Sequence, residues 1–122
     1  MEFGQICVVW LPGQVLPVRD HGTWGVIGVL QNRERETKYL RVDDRSREGY
    51  AELQAAGTRV LGPGDITEVL PPDDIHRAGN ASQAVAISVH VYGADIGSRT
   101  RRVFDLERRT AIPFVSGYAR PE

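Results

Sequence analysis

One cysteine, one lysine and no long apolar run: these scarcities bound what the 122-residue chain can be. With Cys7 as its only cysteine, the chain cannot build an internal disulfide framework, so a reduced, cytoplasmic setting is the expectation. No stretch of apolar residues is long enough for a membrane-spanning helix, and no charged-then-apolar leader opens the sequence. Of the 15 basic residues only Lys38 is a lysine, and the 16 acidic residues balance them to a net charge of −1. That balance excludes the basic stripe a nucleic-acid binder needs. It leaves the positive charge on forked guanidinium groups, which suit carboxylates. Gly62-Pro63-Gly64 lacks the lysine and helix of a phosphate loop, and Ser116 lacks the glycine pattern of a nucleophile elbow.

What is present reads as strand. Hydrophobic residues make up 41% and charged residues 25%, a soluble globular balance in a length suited to one domain. Extended segments are expected at Phe3 to Trp10, Trp24 to Leu30, Thr37 to Val42, Thr58 to Leu61, Ile66 to Leu70 and Ala84 to Tyr92. Val103 to Leu106 and Ile112 to Val115 close the series. Tyr50 to Ala56 fits a strand or a helical turn equally. Glycine and proline turns divide the strands, and no long helix is expected. The fold class is therefore all-β, a sandwich or barrel. One domain spanning residues 1–122 is expected, with a loose tail from Ser116.

The segment Ala84 to Tyr92 alternates cleanly. Val85, Ile87, Val89 and Val91 form one face, suited to packing between sheets. Ala86, Ser88, His90 and Tyr92 form the other, where three successive polar groups would need partners if they point inward. Trp10 and Trp24 read as core residues. Cys7 reads as a small buried apolar residue. The run Arg33-Glu34-Arg35-Glu36 reads as a solvated hairpin end.

The spacing Gly13, Arg19-x-His21, Gly25, Asn32 follows that of the first cupin motif, where the matching residues are a glycine, two histidines, a glutamate and a glycine. Pro71, His76 and Asn80 follow the second motif, with Asp73 in place of its usual glycine. The stretch Arg19-Asp20-His21-Gly22-Thr23-Trp24-Gly25, then Ile75-His76-Arg77 with Asn80, then Ser88-Val89-His90-Val91-Tyr92, resembles the cysteine and 3-mercaptopropionate dioxygenase family. The resemblance runs from about Cys7 to Tyr92 and lacks the amino-terminal region of that family, so a short relative, a fragment or a mis-started reading frame is expected.

The resemblance implies a cupin double-stranded β-helix, or jelly-roll barrel. It implies ferrous iron on three histidines, with a thiol and O₂ reacting to a sulfinic acid. His21 and His76 match two of the ligands. Ser88, His90 and Tyr92 match the hydrogen-bonded relay beside the iron. Arg19 stands at the remaining ligand position, and a guanidinium has no lone pair to offer a metal. Weak iron binding is the expectation. The residue that forms a Cys–Tyr cross-link in some members matches Gly25, so no cross-link is expected. Arg99, Arg101 and Arg102 are candidates for holding the substrate carboxylate, and Arg101 is preferred. A carboxylate-binding module without metal is the alternative function. A homodimer covering an open sheet edge fits either reading.

Overall fold

The computed structural model describes residues 4–117. Nine strands follow one another: β1 Gly4–Trp10, β2 Gly25–Gln31, β3 Glu34–Arg41, β4 Leu53–Leu61, β5 Ile66–Val69, β6 Ile75–Asn80, β7 Ala86–Tyr92, β8 Arg101–Asp105 and β9 Thr110–Phe114. No helix among the described residues is long and apolar enough to cross a membrane. The ambiguous segment after Tyr50 is extended, and Leu53–Leu61 forms one strand through Gly57, which adopts φ +138°. Ile75–Asn80, legible in the sequence only as a motif, is a strand in its own right. Of the expected tail, Ser116 and Gly117 are described and the rest lies outside the described residues. Gly117 N–H donates to the Gly97 carbonyl at 2.8 Å.

The strands form antiparallel sheets in the order β1-β7-β2-β5 and β4-β3-β6, with the pair β8-β9 beside the second. The chain before β2 supplies the joint. Arg19 bridges to His76 on β6 and to Val103 on β8. Arg19 and His76 exchange both backbone hydrogen bonds at 3.0 Å. Residues directly opposed in an antiparallel pair share a face, so Arg19 and His76 project together. Asp20 turns the other way, where its carboxylate accepts from the Arg102 N–H at 2.8 Å.

The apolar core lies in two clusters. Val18, Tyr39, Ala51, Ile75, Phe104 and Ala111 make one; Trp10, Ala78 and Ala86 make the other. Ile27, Val29, Leu61, Val69 and Ile96 are buried outside these clusters, together with a polar set that includes His21, Glu34, Glu36, Thr67, His76, Ser88, His90 and Arg101. A barrel interior of this composition persists only if its polar groups satisfy one another.

Four expectations are corrected by the fold. The Val/Ile face of β7 is the outer, half-buried one, and the polar face points inward. Cys7 is exposed, because it falls on the outward set of β1. Trp24 is 38% exposed, with its ring laid over the backbone of Gly93; Trp10 alone of the two is core. The Arg33–Glu36 run is not a solvated end. β3 begins at Glu34, and its pleat sends Glu34 and Glu36 inside, each 1% exposed, while Arg35 faces solvent.

Candidate functional site

β7 lies between β1 and β2, so its inner row is fixed on both sides. Tyr92 pairs with Gly4 and Gly25, His90 with Ile6 and Ile27, and Ser88 with Val8 and Val29. Period-two geometry puts the three side chains on one line. They are joined end to end. Ser88 Oγ lies 2.8 Å from His90 Nε2, and His90 Nδ1 lies 2.8 Å from the Tyr92 hydroxyl. Trp10 Nε1–H donates to Ser88 Oγ at 3.0 Å, and Ser88 reaches Glu34 Oε1 at 3.3 Å.

Across the interior stand the two motif histidines. Their ring centroids are 4.7 Å apart, and the Tyr92 ring stacks on His21 at 5.5 Å. Both rings are held from behind. His21 Nδ1 lies 2.8 Å from the Asp74 carbonyl, which can only accept, so this nitrogen carries the proton. His76 Nδ1 lies 2.8 Å from Glu36 Oε2. Thr67 donates to the other oxygen of that carboxylate at 2.8 Å. Each ring therefore presents Nε2 as its lone-pair nitrogen, the arrangement that orients metal-binding imidazoles. His21 Nε2 is buried with no hydrogen-bond partner.

The donor set fits iron at two positions and not at the third. Two imidazole nitrogens are available. Among the described residues no three His, Cys, Asp or Glu side chains converge as a metal-ligand group. Arg19, paired with His76 on β6, shares the face of that imidazole and brings a positive charge instead of a lone pair.

Electrostatics follow from burial. The His21 imidazole is held well below its ordinary range by burial and by the neighbouring His76. Burial, with His76 and Arg19 nearby, lowers His90 to about 3, so it is neutral near pH 7. The Tyr92 phenol is pushed up by burial against the pull of Arg19 and Arg101. Burial also lowers Arg19, opposed by Tyr92 and Glu34. Burial raises Glu34 to about 7. Burial acts on Glu36 too, but the hydrogen bonds from His76 and Thr67 outweigh it and hold the carboxylate ionised.

Of the three arginine candidates, only Arg101 is interior, at 4% exposure over the Phe114 ring, with its charge felt at His21 and Tyr92. Arg99 and Arg102 are exposed. Arg99 donates to the Gly22 carbonyl at 2.6 Å, and Arg102 faces Asp20 at 3.6 Å. Asn80 is structural. Its side chain donates to the Leu11 and Ala84 carbonyls and accepts from the Ser82 N–H, pinning the end of β6 to the end of β1. Gly25 packs against Tyr92; a Cβ there would stand 2.8 Å from the Tyr92 ring.

Sequence reasoning missed Glu34, Glu36 and Thr67. The alternation of sign in Arg33 to Glu36 was the available signal, since period two is also the period of a strand with two unlike faces.

No family model matches the chain. Solved structures do. An oxalate oxidase superposes with a TM-score of 0.59 at 17% identity, covering 77% of this chain and 43% of that one. The Cupin_2 domain of an XRE family transcriptional regulator from Enterobacter cloacae gives 0.53 at 15% identity, covering 74% and 79%. Drosophila melanogaster CENP-C, in a complex with CAL1, gives 0.57 at 14% identity, covering 73% and 63%. The chain thus spans less than half the length of the oxalate oxidase it resembles. These likenesses and the antiparallel sheet order agree on one architecture: the chain has the cupin β-barrel fold.

Proposed function

We propose that this chain is a thiol-dioxygenase-like cupin. Its substrate is a small thiol carboxylate of the cysteine or 3-mercaptopropionate type, and its product is the sulfinic acid, with both atoms of O₂ added to sulfur. One observation carries the reading: two rear-anchored imidazoles, His21 and His76, face the same interior as the continuous Ser88–His90–Tyr92 chain. Ferrous iron, when bound, would supply the meeting point for thiol and O₂. The protein's own residues do the rest. Arg101 is the interior cation suited to a carboxylate. Tyr92 presents its ring against His21 while its hydroxyl is positioned by His90. Arg19 weakens the metal site by replacing a donor with a cation.

The test is metal content and oxygen uptake, with either thiol and added ferrous iron, for the native chain and Arg19→His. The expected result is sub-stoichiometric iron and slow uptake in the native chain, both rising in the variant by about tenfold or more. Stoichiometric, tightly held iron in the native chain would contradict the role given to Arg19. No uptake in either protein would overturn the dioxygenase reading.

A second reading draws on Arg19 itself. Among the described residues no carboxylate lies within ion-pairing distance of its guanidinium. A half-buried cation whose charge, like that of Arg101, is felt at His21 and Tyr92 suits a small carboxylate bound without metal. A rise in melting temperature with 3-mercaptopropionate in the presence of a chelator supports this reading, and no shift at millimolar ligand removes it.

A further inference from the structure

Hydrogen-bond accounting around Ser88 leaves its chain only two self-consistent directions. Trp10 Nε1–H is a donor and nothing else, so at 3.0 Å it occupies one of the two acceptor places on Ser88 Oγ. One acceptor place and one proton remain. Two neighbours claim them: Glu34 Oε1 at 3.3 Å and His90 Nε2 at 2.8 Å. One neighbour must take the Ser88 proton, and the other must supply one.

When Glu34 is a carboxylate it can only accept. Ser88 then donates to Glu34, and His90 Nε2–H donates to Ser88. A neutral His90 is left with a bare Nδ1, which accepts the Tyr92 proton. Tyr92 turns only lone pairs toward the interior. When Glu34 is protonated it gains a donor, and every bond can reverse. Glu34 donates to Ser88, Ser88 to His90 Nε2, and His90 Nδ1–H to the Tyr92 oxygen. The Tyr92 O–H is then free to donate inward.

We propose that Glu34 is a positioning residue that sets the polarity of the Ser88–His90–Tyr92 chain, and so decides whether Tyr92 offers the interior a proton or a lone pair. The two states differ by one proton. If a base in the interior takes the Tyr92 proton, His90 Nδ1–H replaces it. Ser88 then reprotonates His90 at Nε2, Glu34 reprotonates Ser88, and Glu34 ends as the carboxylate. No charge rests on the intervening groups.

The surroundings let Glu34 occupy both states near neutrality. Burial raises it to about 7, the Ser88 hydrogen bond opposes, Glu36 two residues along β3 raises it further, and Arg19 across the interior lowers it. Tyr92 is the other titratable group that feels Glu34. His90, at about 3, stays neutral throughout. The inference rests on the proposed function only for the use to which the Tyr92 proton is put.

The experiment is nitrogen NMR of the His90 ring in the isotope-labelled chain, without metal or thiol, between about pH 5.5 and 8.5. The expected result is a change of tautomer, from Nδ1–H at low pH to Nε2–H at high pH, with its midpoint near the Glu34 titration. Glu34→Gln is expected to hold a single tautomer over the whole range. An infrared carboxylic-acid band in the native chain that fades over the same range would support the assignment without a variant, and its absence would overturn it. A single native tautomer throughout, or a switch that persists in Glu34→Gln, also overturns the inference. Because no turnover is measured, a chain that switches tautomer yet takes up no oxygen keeps this inference and loses only the dioxygenase reading.

Discussion

Glu36 Oε2 stands 2.8 Å from His76 Nδ1, a carboxylate and an imidazole both withdrawn from solvent, on the neighbouring strands β3 and β6. The contact fixes the tautomer of His76 and is shared with Thr67 on β5, so one side chain ties three strands together. Removing it leaves two donors unserved. Glu36→Ala is expected to lower unfolding free energy by about 2–4 kcal/mol in urea titration. Glu36→Gln, which can still accept one bond, should lose less. Equal losses would mean that the hydrogen bonds to His76 and Thr67 do not set the cost.

Arg101→Lys keeps the charge and removes the fork. With Arg101 as the carboxylate holder, the apparent affinity for 3-mercaptopropionate falls by about tenfold, near 1.4 kcal/mol, with little change at saturating ligand. Arg99→Lys, at an exposed position, should leave affinity unchanged. Equal effects from the two substitutions would remove Arg101 from the site.

Gly25 is opposite Tyr92 on the neighbouring strand, and a Cβ would stand 2.8 Å and 2.9 Å from two Tyr92 ring carbons and 3.0 Å from Val69 Cγ2. Gly25→Ala is expected to destabilise by about 1–3 kcal/mol. It should also move the Tyr92 hydroxyl off His90, seen as a change in the His90 ring nitrogen shifts. A stable variant with unchanged shifts would show that Tyr92 has room to yield.

Stability should rise with pH to a plateau near pH 7. His21 and His90 are depressed in the fold from an ordinary 6.5, so unfolding takes up protons below that pH and stability falls on acidification, for His90 down to about 3. Glu34 acts in the opposite sense. Raised from 4.5 to about 7, it holds a proton in the fold that the unfolded chain has released, so it costs stability as pH rises through that window. Between about pH 4.5 and 6.5 the two histidines outweigh the one carboxylate. The net slope from these three groups is about 1.4 kcal/mol per pH unit, rising with pH. Urea midpoints across this range check the sign, and Glu34→Gln should steepen the rise.

The sequence by itself determined the strand-rich architecture, the shared face of Ser88, His90 and Tyr92, and, through motif spacing, the candidacy of His21 and His76. Strand periodicity is local, so it fixes which residues share a face before it fixes where that face points. The guanidinium at Arg19 was equally legible, because inability to ligate is a property of the residue and not of its surroundings. Only the tertiary structure decided the rest. It made the Val/Ile face of β7 the outer one, because inside and outside are defined by the second sheet and not by hydrophobicity along one strand. It put Glu34 and Glu36 behind Ser88 and His76, where a charge alternation had suggested solvent. It buried Arg101 and left Arg99 and Arg102 exposed, a difference that three identical side chains do not announce. Each of these depends on contacts between segments far apart in the chain. Such contacts carry no local periodicity, so they become visible only when the barrel closes.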